Sequence, residues 1–218
     1  MTNEIKTSLK EVIVDTGLAM IEEGLTVGTW GNFSVRDPET GLIYITPSAM
    51  NYQDIDCEDI VVLDTDLNLV EGKRVPSVEK GMHVSVYKTR EDVNAVIHIH
   101  PKYSTVLGVN GMELPGISED FVQIIGDKMI CSDYALPGTP ELAVNAVKGL
   151  GKRNGVLLPN HGALVVGPNM PKTLTACHVV EKTAHIYIMA LSIGTPNLIS
   201  MDDIIAMQDY VKTKYGNE

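Results

Sequence analysis

Cysteine is scarce in this 218-residue sequence: Cys57, Cys131 and Cys177 stand far apart, with no CxxC pair among them. An odd, sparse set is not a disulfide framework, and it points to reduced, buried thiols in a cytoplasmic protein. Long apolar runs are missing too. None approaches the roughly 20 consecutive residues of a membrane-spanning helix. The N-terminal MTNEIKTSLKEVIVDTG alternates charge with apolar residues and lacks the continuous core of a secretion signal. Positive charge is in short supply: 17 Lys and Arg against 28 Asp and Glu give a net charge of −11, with no basic cluster to offset it. That excludes nucleic acid and anionic membrane surfaces as partners. An anionic substrate must then be held locally, by backbone amides, hydroxyls or a metal. Repeats, low-complexity tracts and Pro/Ser-rich linkers are also lacking, so residues 1–218 read as one domain.

What is present is enough apolar material for a full core, 44% of the residues. Ile5, Leu9, Val12, Ile13 and Met20 recur at helical spacing and predict a helix over 3–23, with Gly24 as its stop. Alternating segments Phe33–Arg36 and Leu42–Thr46, joined by Asp37-Pro-Glu-Thr-Gly41, predict a hairpin. Ile60–Asp64 reads as a strand with a turn at Asp66–Asn68. Val78–Arg90 reads as a helix, and Val93–His100 as a strand closed by Pro101. A helix over Glu141–Leu150 precedes strands Gly155–Leu158 and Ala163–Gly167, which are broken by Pro159-Asn-His-Gly162. Helices over 172–193 and 202–213 complete an α/β pattern in which helices cover a sheet.

Six histidines carry the chemical signal. His98 and His100 are i and i+2 of one strand, so they share a face about 6.5–7 Å apart along the chain. Imidazoles so placed can converge on one ion at nitrogen–metal distances of about 2.0–2.1 Å. His161 sits in a loop between two apolar strands, where a side chain is easily presented to a cleft. Glu79 opens the Val78 helix, where a carboxylate also suits the helix dipole. Three histidines and a carboxylate suit zinc, or manganese or cobalt less tightly. A rival set, His178, Glu181 and His185, lies on one face of the 172–193 helix. It has no complementary helix of ligands and is flanked by Val179, Val180, Ile186 and Met189, so it reads as a packed or ion-paired face. His83, four residues after Glu79, reads as an orienting or packing residue.

Taken in order, Thr29-Trp-Gly31-Asn32, Ile45-Thr-Pro-Ser48, Pro76-Ser77-Val-Glu79, His98-Ile-His100 and His161-Gly162 resemble the class II sugar-phosphate aldolase/epimerase family, from the first helix to the last. The resemblance implies a three-layer α/β/α fold on a mixed, mainly antiparallel sheet, assembled as a homotetramer with sites between subunits. It implies that His98, His100 and His161 ligate Zn2+, with Glu79 as movable fourth ligand and base. Its phosphate pocket maps onto Gly31, Asn32, Ser48, Ala49, Ser77 and Val78, small residues and amides that let a phosphate approach the backbone without net positive charge. The implied reaction is reversible aldol cleavage of a small ketose phosphate to dihydroxyacetone phosphate and an aldehyde, through a metal-stabilised enediolate.

The chain departs from the family's fuculose-phosphate branch in the substrate half of this set. Val78 stands in place of a second serine, and Ala49 in place of a glycine. The position of the proton-donating tyrosine falls at Glu119. A C-terminal tyrosine that closes the site has its match in Tyr215. Three other readings stand beside it. A decarboxylase of a 3-oxo sugar acid phosphate would use the same metal enolate. A 4-epimerase resembles the chain less, since those enzymes carry Asp at the Glu79 position and a catalytic Asp where Gln123 stands. A non-catalytic scaffold, like the adducin head, would have lost metal ligands that are retained here.

Overall fold

The computed structural model describes residues 4–213. Helix α1 (Thr7–Glu22) leads into strand β1 (Asn32–Arg36), which turns through Asp37–Gly41 into β2 (Ile43–Ile45). The turn is tied by Asp37, whose backbone N–H donates to the Leu42 carbonyl and whose carboxylate accepts from Thr40 and Lys6. Strand β3 (Val61–Leu63) forms a second hairpin with β4 (Leu69–Glu71) around the turn at Asp66–Asn68. Helix α2 (Lys80–Thr89) precedes β5 (Ala95–Ile99), and α3 (Lys102–Val109) follows at once. A two-residue ladder, β6 (Leu114–Pro115) with β7 (Lys128–Met129), brackets α4 (Glu119–Ile124). Then come α5 (Pro140–Leu150), the hairpin β8 (Gly155–Leu158) and β9 (Gly162–Gly167), α6 (Met170–Ile193) and α7 (Met201–Thr213).

Seven strands form one sheet in the order β4-β3-β2-β1-β5-β9-β8, and every ladder in it is antiparallel. The parallel contribution is a single bridge, Cys131 to Leu157, at the β8 edge. Alternation along β5 divides the core. Ala95, Ile97 and Ile99 face a cluster with Ile13, Leu107, Ala176 and Val180 from α1, α3 and α6. Val96 faces the opposite cluster, with Val86 of α2 and Ala146 of α5. The fold is therefore a three-layer α/β/α sandwich with a mainly antiparallel sheet. Two N-termini are capped as their sequence directs, Thr139 accepting from Leu142 N–H and Asn169 from Lys172 N–H. Among the described residues no helix is long and apolar enough to cross a membrane.

Helices α3 and α4 and strands β4, β6 and β7 go beyond the sequence reading. Helix α3 starts directly after Pro101, which marks the end of β5 but also serves as the residue before the first helical turn. The other four are two to six residues long, below the span at which periodicity is visible.

Candidate active site and metal centre

The central strand pairing builds the site. On β5, His98 lies opposite Asn32 of β1 and Leu164 of β9, and Ile99 lies opposite Ala163. That register sets the β8–β9 turn, Pro159-Asn160-His161, beside the end of β5, and Asn160 takes the left-handed conformation that asparagine tolerates (φ 57°). Two glycines make the close approach possible. A Cβ on Gly162 would come within 2.1 Å of the Ile99 carbonyl oxygen, and one on Gly31 within 2.7 Å of the His98 carbonyl oxygen. Gly31 also holds φ 78°, a conformation open to glycine at little cost.

Three imidazole nitrogens converge as a result. His98 Nε2 lies 2.8 Å from His100 Nε2 and 3.2 Å from His161 Nε2. His98 Nδ1–H donates to the Ala163 carbonyl at 2.9 Å, which leaves its Nε2 as a bare lone pair. Burial pushes the imidazoles of His98 and His100 down to about 3, and depresses His161 as well. A divalent cation among the three rings would take a lone pair from each of them at once. Tetrahedral zinc, with bonds of about 2.0–2.1 Å, spaces its donors by about 3.3 Å. Glu79 stands beside them, 5% exposed, with Oε2 at 3.4 Å from His98 Nε2 and Oε1 at 3.6 Å from His161 Nε2. Its Oε1 is a buried oxygen with no hydrogen-bond partner among the described residues. An orphaned carboxylate oxygen next to three convergent nitrogens is the donor chemistry of a divalent metal site, so the residues fit the metal that the resemblance implies.

A cleft of about 580 Å³ opens over this cluster. Gly31, Asn32, Ser48, Ala49, Ser77 and Val78 all line it, together with Glu79, His100 and His161. The segment carrying Ser77 is held against β2 by Ser77 N–H donating to Thr46 O and Ser48 N–H to Val75 O. Ser77 Oγ in turn accepts from the Glu79 N–H at 3.2 Å. Ala49 adopts φ 57°, a left-handed conformation that suits the glycine the resemblance implies at this position. Trp30, the single tryptophan, was not singled out by its sequence context. It lines the cleft 65% exposed, with its ring 5.8 Å from that of His100. A lone indole in a Gly-flanked loop was the available signal.

Two sequence candidates lie elsewhere. Glu119 opens α4, exposed, and lines a separate groove with Asp203, Met207 and Tyr210 of α7. Its own chain does not bring it to the metal cluster, because α4 packs against α6 and α7 on the far layer. Tyr215 falls outside the described residues. The rival histidine face is fully engaged: His178 Nε2 meets Glu23 at 2.6 Å, His185 stacks on Tyr103 at 3.9 Å, and Glu181 accepts from the Tyr103 and Ser104 N–H groups. His83 is buried and contacts Asn32 and Ser34 and no member of the cluster's nitrogens.

The sandwich and its three-histidine, one-carboxylate cleft define an α/β/α protein with a candidate divalent-metal centre. Residues 11–188 match the Class II Aldolase and Adducin N-terminal domain family, and the chain belongs to it. Among its relatives are enzymes of the aldolase type, and the chain is likewise a class II aldolase, a carbon–carbon lyase. It is 39% identical over 195 residues to the 5-deoxy-D-ribulose 1-phosphate aldolase of Bacillus thuringiensis, covering 89% of this chain and 91% of that one. Identity to the L-fuculose phosphate aldolase of Escherichia coli is 34% over 202 residues, 93% of each chain. A solved L-fuculose 1-phosphate aldolase superposes with a TM-score of 0.94 at 37% identity, across 97% of this chain and 100% of that one.

Proposed function

We propose that the enzyme cleaves a small ketose 1-phosphate reversibly to dihydroxyacetone phosphate and an aldehyde. The observation that carries this reading is the convergence of His98, His100 and His161 beside the unpartnered Glu79 Oε1. The three histidines, with Glu79 as an exchangeable fourth ligand, would hold a divalent ion, Zn2+ by preference. When bound, that ion supplies a Lewis acid that polarises a ketose carbonyl and stabilises the negative charge left as the carbon–carbon bond breaks. Glu79 carries the proton at Oε1, since Oε2 is already bound by Asn32 Nδ2 at 2.7 Å. Gly31, Asn32, Ser48, Ala49, Ser77 and Val78 bind the phosphate through amides and hydroxyls, which suits a chain of net charge −11. Trp30 and Val78 add exposed apolar surface to the cleft wall, suited to the carbon skeleton of the substrate. The resemblance supports a homotetramer with sites between subunits, and Glu119, which lines a separate groove in its own chain, would act only from a neighbouring subunit. Both 5-deoxyribulose 1-phosphate and L-fuculose 1-phosphate follow from the similar enzymes as substrates to try.

The test is release of dihydroxyacetone phosphate from a panel of L-fuculose 1-, L-rhamnulose 1-, 5-deoxyribulose 1- and ribulose 5-phosphates by the zinc-loaded protein. Release from a ketose 1-phosphate, abolished by His98→Ala and cut at least about a hundredfold by Glu79→Gln, supports the reading. A panel without release, by protein that still binds zinc, overturns it and favours decarboxylation of a 3-oxo sugar acid phosphate at the same centre.

A further inference from the structure

A chain of buried side chains runs away from the metal cluster through the sheet, and its hydrogen bonds have a fixed direction. Glu79 Oε2 accepts from Asn32 Nδ2 at 2.7 Å, and Asn32 Oδ1 meets His83 Nε2 at 2.6 Å. His83 Nδ1 meets Ser34 Oγ at 2.7 Å, and the Tyr87 hydroxyl donates to the Ser34 carbonyl at 2.9 Å. Ser34, His83 and Tyr87 are buried behind the cleft, and Asn32 and Glu79 are nearly so at its wall, so these bonds are made within the protein. An ionised carboxylate only accepts, hence Asn32 must turn its amide N–H toward Glu79 and its carbonyl toward His83. A carbonyl only accepts as well, so the His83 hydrogen must sit on Nε2. The bare Nδ1 then accepts from the Ser34 hydroxyl. His83 is fully buried, where a charged ring is disfavoured, so the neutral imidazole has one hydrogen to place.

We propose that His83 is a positioning residue for catalysis: its Nε2–H fixes the amide orientation of Asn32, which clamps Glu79 by Oε2 and leaves Oε1 free toward the histidine cluster. The inference rests on the reading of Glu79 as the proton carrier. It assigns work to a buried histidine that ligates nothing, and a second task to Asn32 beside lining the cleft. Were His83 to carry its hydrogen on Nδ1, Asn32 would be drawn to flip and would set a carbonyl oxygen against the Glu79 carboxylate. The spacing Glu79-x-x-x-His83 supports the arrangement, since residues i and i+4 at the start of α2 lie on one face. Asn32 reaches both from β1.

Two measurements decide it. The nitrogen-15 spectrum of histidine-labelled, metal-free protein reports the His83 tautomer without any substrate. An Nε2–H ring supports the proposal, and an Nδ1–H ring overturns it even if the enzyme proves to act on another substrate class. His83→Phe and His83→Gln then separate positioning from packing, because glutamine keeps an N–H near the Nε2 position. The expected result for His83→Phe is a fall in kcat of about 10–100-fold. Zinc affinity, read by competition with a chromophoric chelator, should fall by less than kcat does, within about tenfold, since the three metal-binding histidines are untouched and only the exchangeable Glu79 is disturbed. His83→Gln should recover kcat to within about threefold of the parent. Equal losses in both variants, or a loss of zinc affinity that tracks kcat, would mean a purely structural role and overturn the proposal.

Discussion

At the scale of single residues, the site depends on backbone approaches that leave no room for a side-chain carbon. Gly162 directly follows His161, and a Cβ there would meet the Ile99 carbonyl oxygen at 2.1 Å, within the pair that holds β5 to β9. Gly162→Ala should therefore part the two strands that carry His98 and His161. The expected cost is about 3 kcal/mol in a denaturant titration, with zinc affinity down at least about tenfold by chelator competition. The same carbon placed elsewhere in the cleft is tolerated: Ala49 occupies a left-handed position in a rim open to solvent, where its methyl group meets less constraint. His98-Ile-His100 could be read from the sequence because i and i+2 on a strand face one way whatever the rest of the chain does. Trp30 could not, because an indole in a loop takes its meaning from the ring it lands beside.

Elements are held at the site by groups that the sequence presents as ordinary charges. Helix α3 leaves β5 immediately after His100 and has no side-chain cap of its own. Glu181 of α6 supplies one across 77 and 78 residues of sequence, accepting the Ser104 N–H at 3.0 Å and the Tyr103 N–H at 2.8 Å. A carboxylate at a helix N-terminus makes charge-assisted hydrogen bonds and meets a favourable dipole. Glu181→Ala strands two backbone donors and should destabilise the protein by about 2–3 kcal/mol in equilibrium unfolding. Metal binding should persist, because Glu181 touches no ligand. Periodicity placed α6 on the map and showed that His178, Glu181 and His185 share a face. The partners of that face, Glu23 just after α1 and Tyr103 and Ser104 of α3, could not be read from α6 alone.

For the whole molecule, buried neutral histidines couple stability to pH and to metal. His83 and His98 are held down to about 3 by burial, whereas an unfolded chain protonates them near 6.5. Between those values the unfolded state binds more protons, so this contribution is complete above pH 6.5 and is lost as the pH falls toward the folded value. Urea titrations of metal-free protein should show stability dropping by up to about 1.4 kcal/mol per pH unit for each histidine between about pH 6.5 and 4.5. The depressed carboxylates of Asp37, Asp59 and Asp64 add their own loss only below their ordinary 3.8, outside that window. Zinc at a thousandfold excess over its Kd should add about 4 kcal/mol. For a chain of this size that raises Tm by about 8–16 °C, and His100→Ala should remove the rise in a thermal scan.

The sequence by itself determined the longer helices and strands, the paired histidines of one strand and the family to which the ordered motifs belong, because each rests on contacts between near neighbours in the chain or on the linear order of short motifs. Only the tertiary structure decided which nitrogens face each other, which Glu79 oxygen is free and which way Asn32 points. Those facts depend on the β1–β5–β9 register, which joins residues some 65 positions apart through backbone hydrogen bonds. A shift of one residue in β5 would turn His98 to the opposite face of the sheet, away from Asn32 and the cleft.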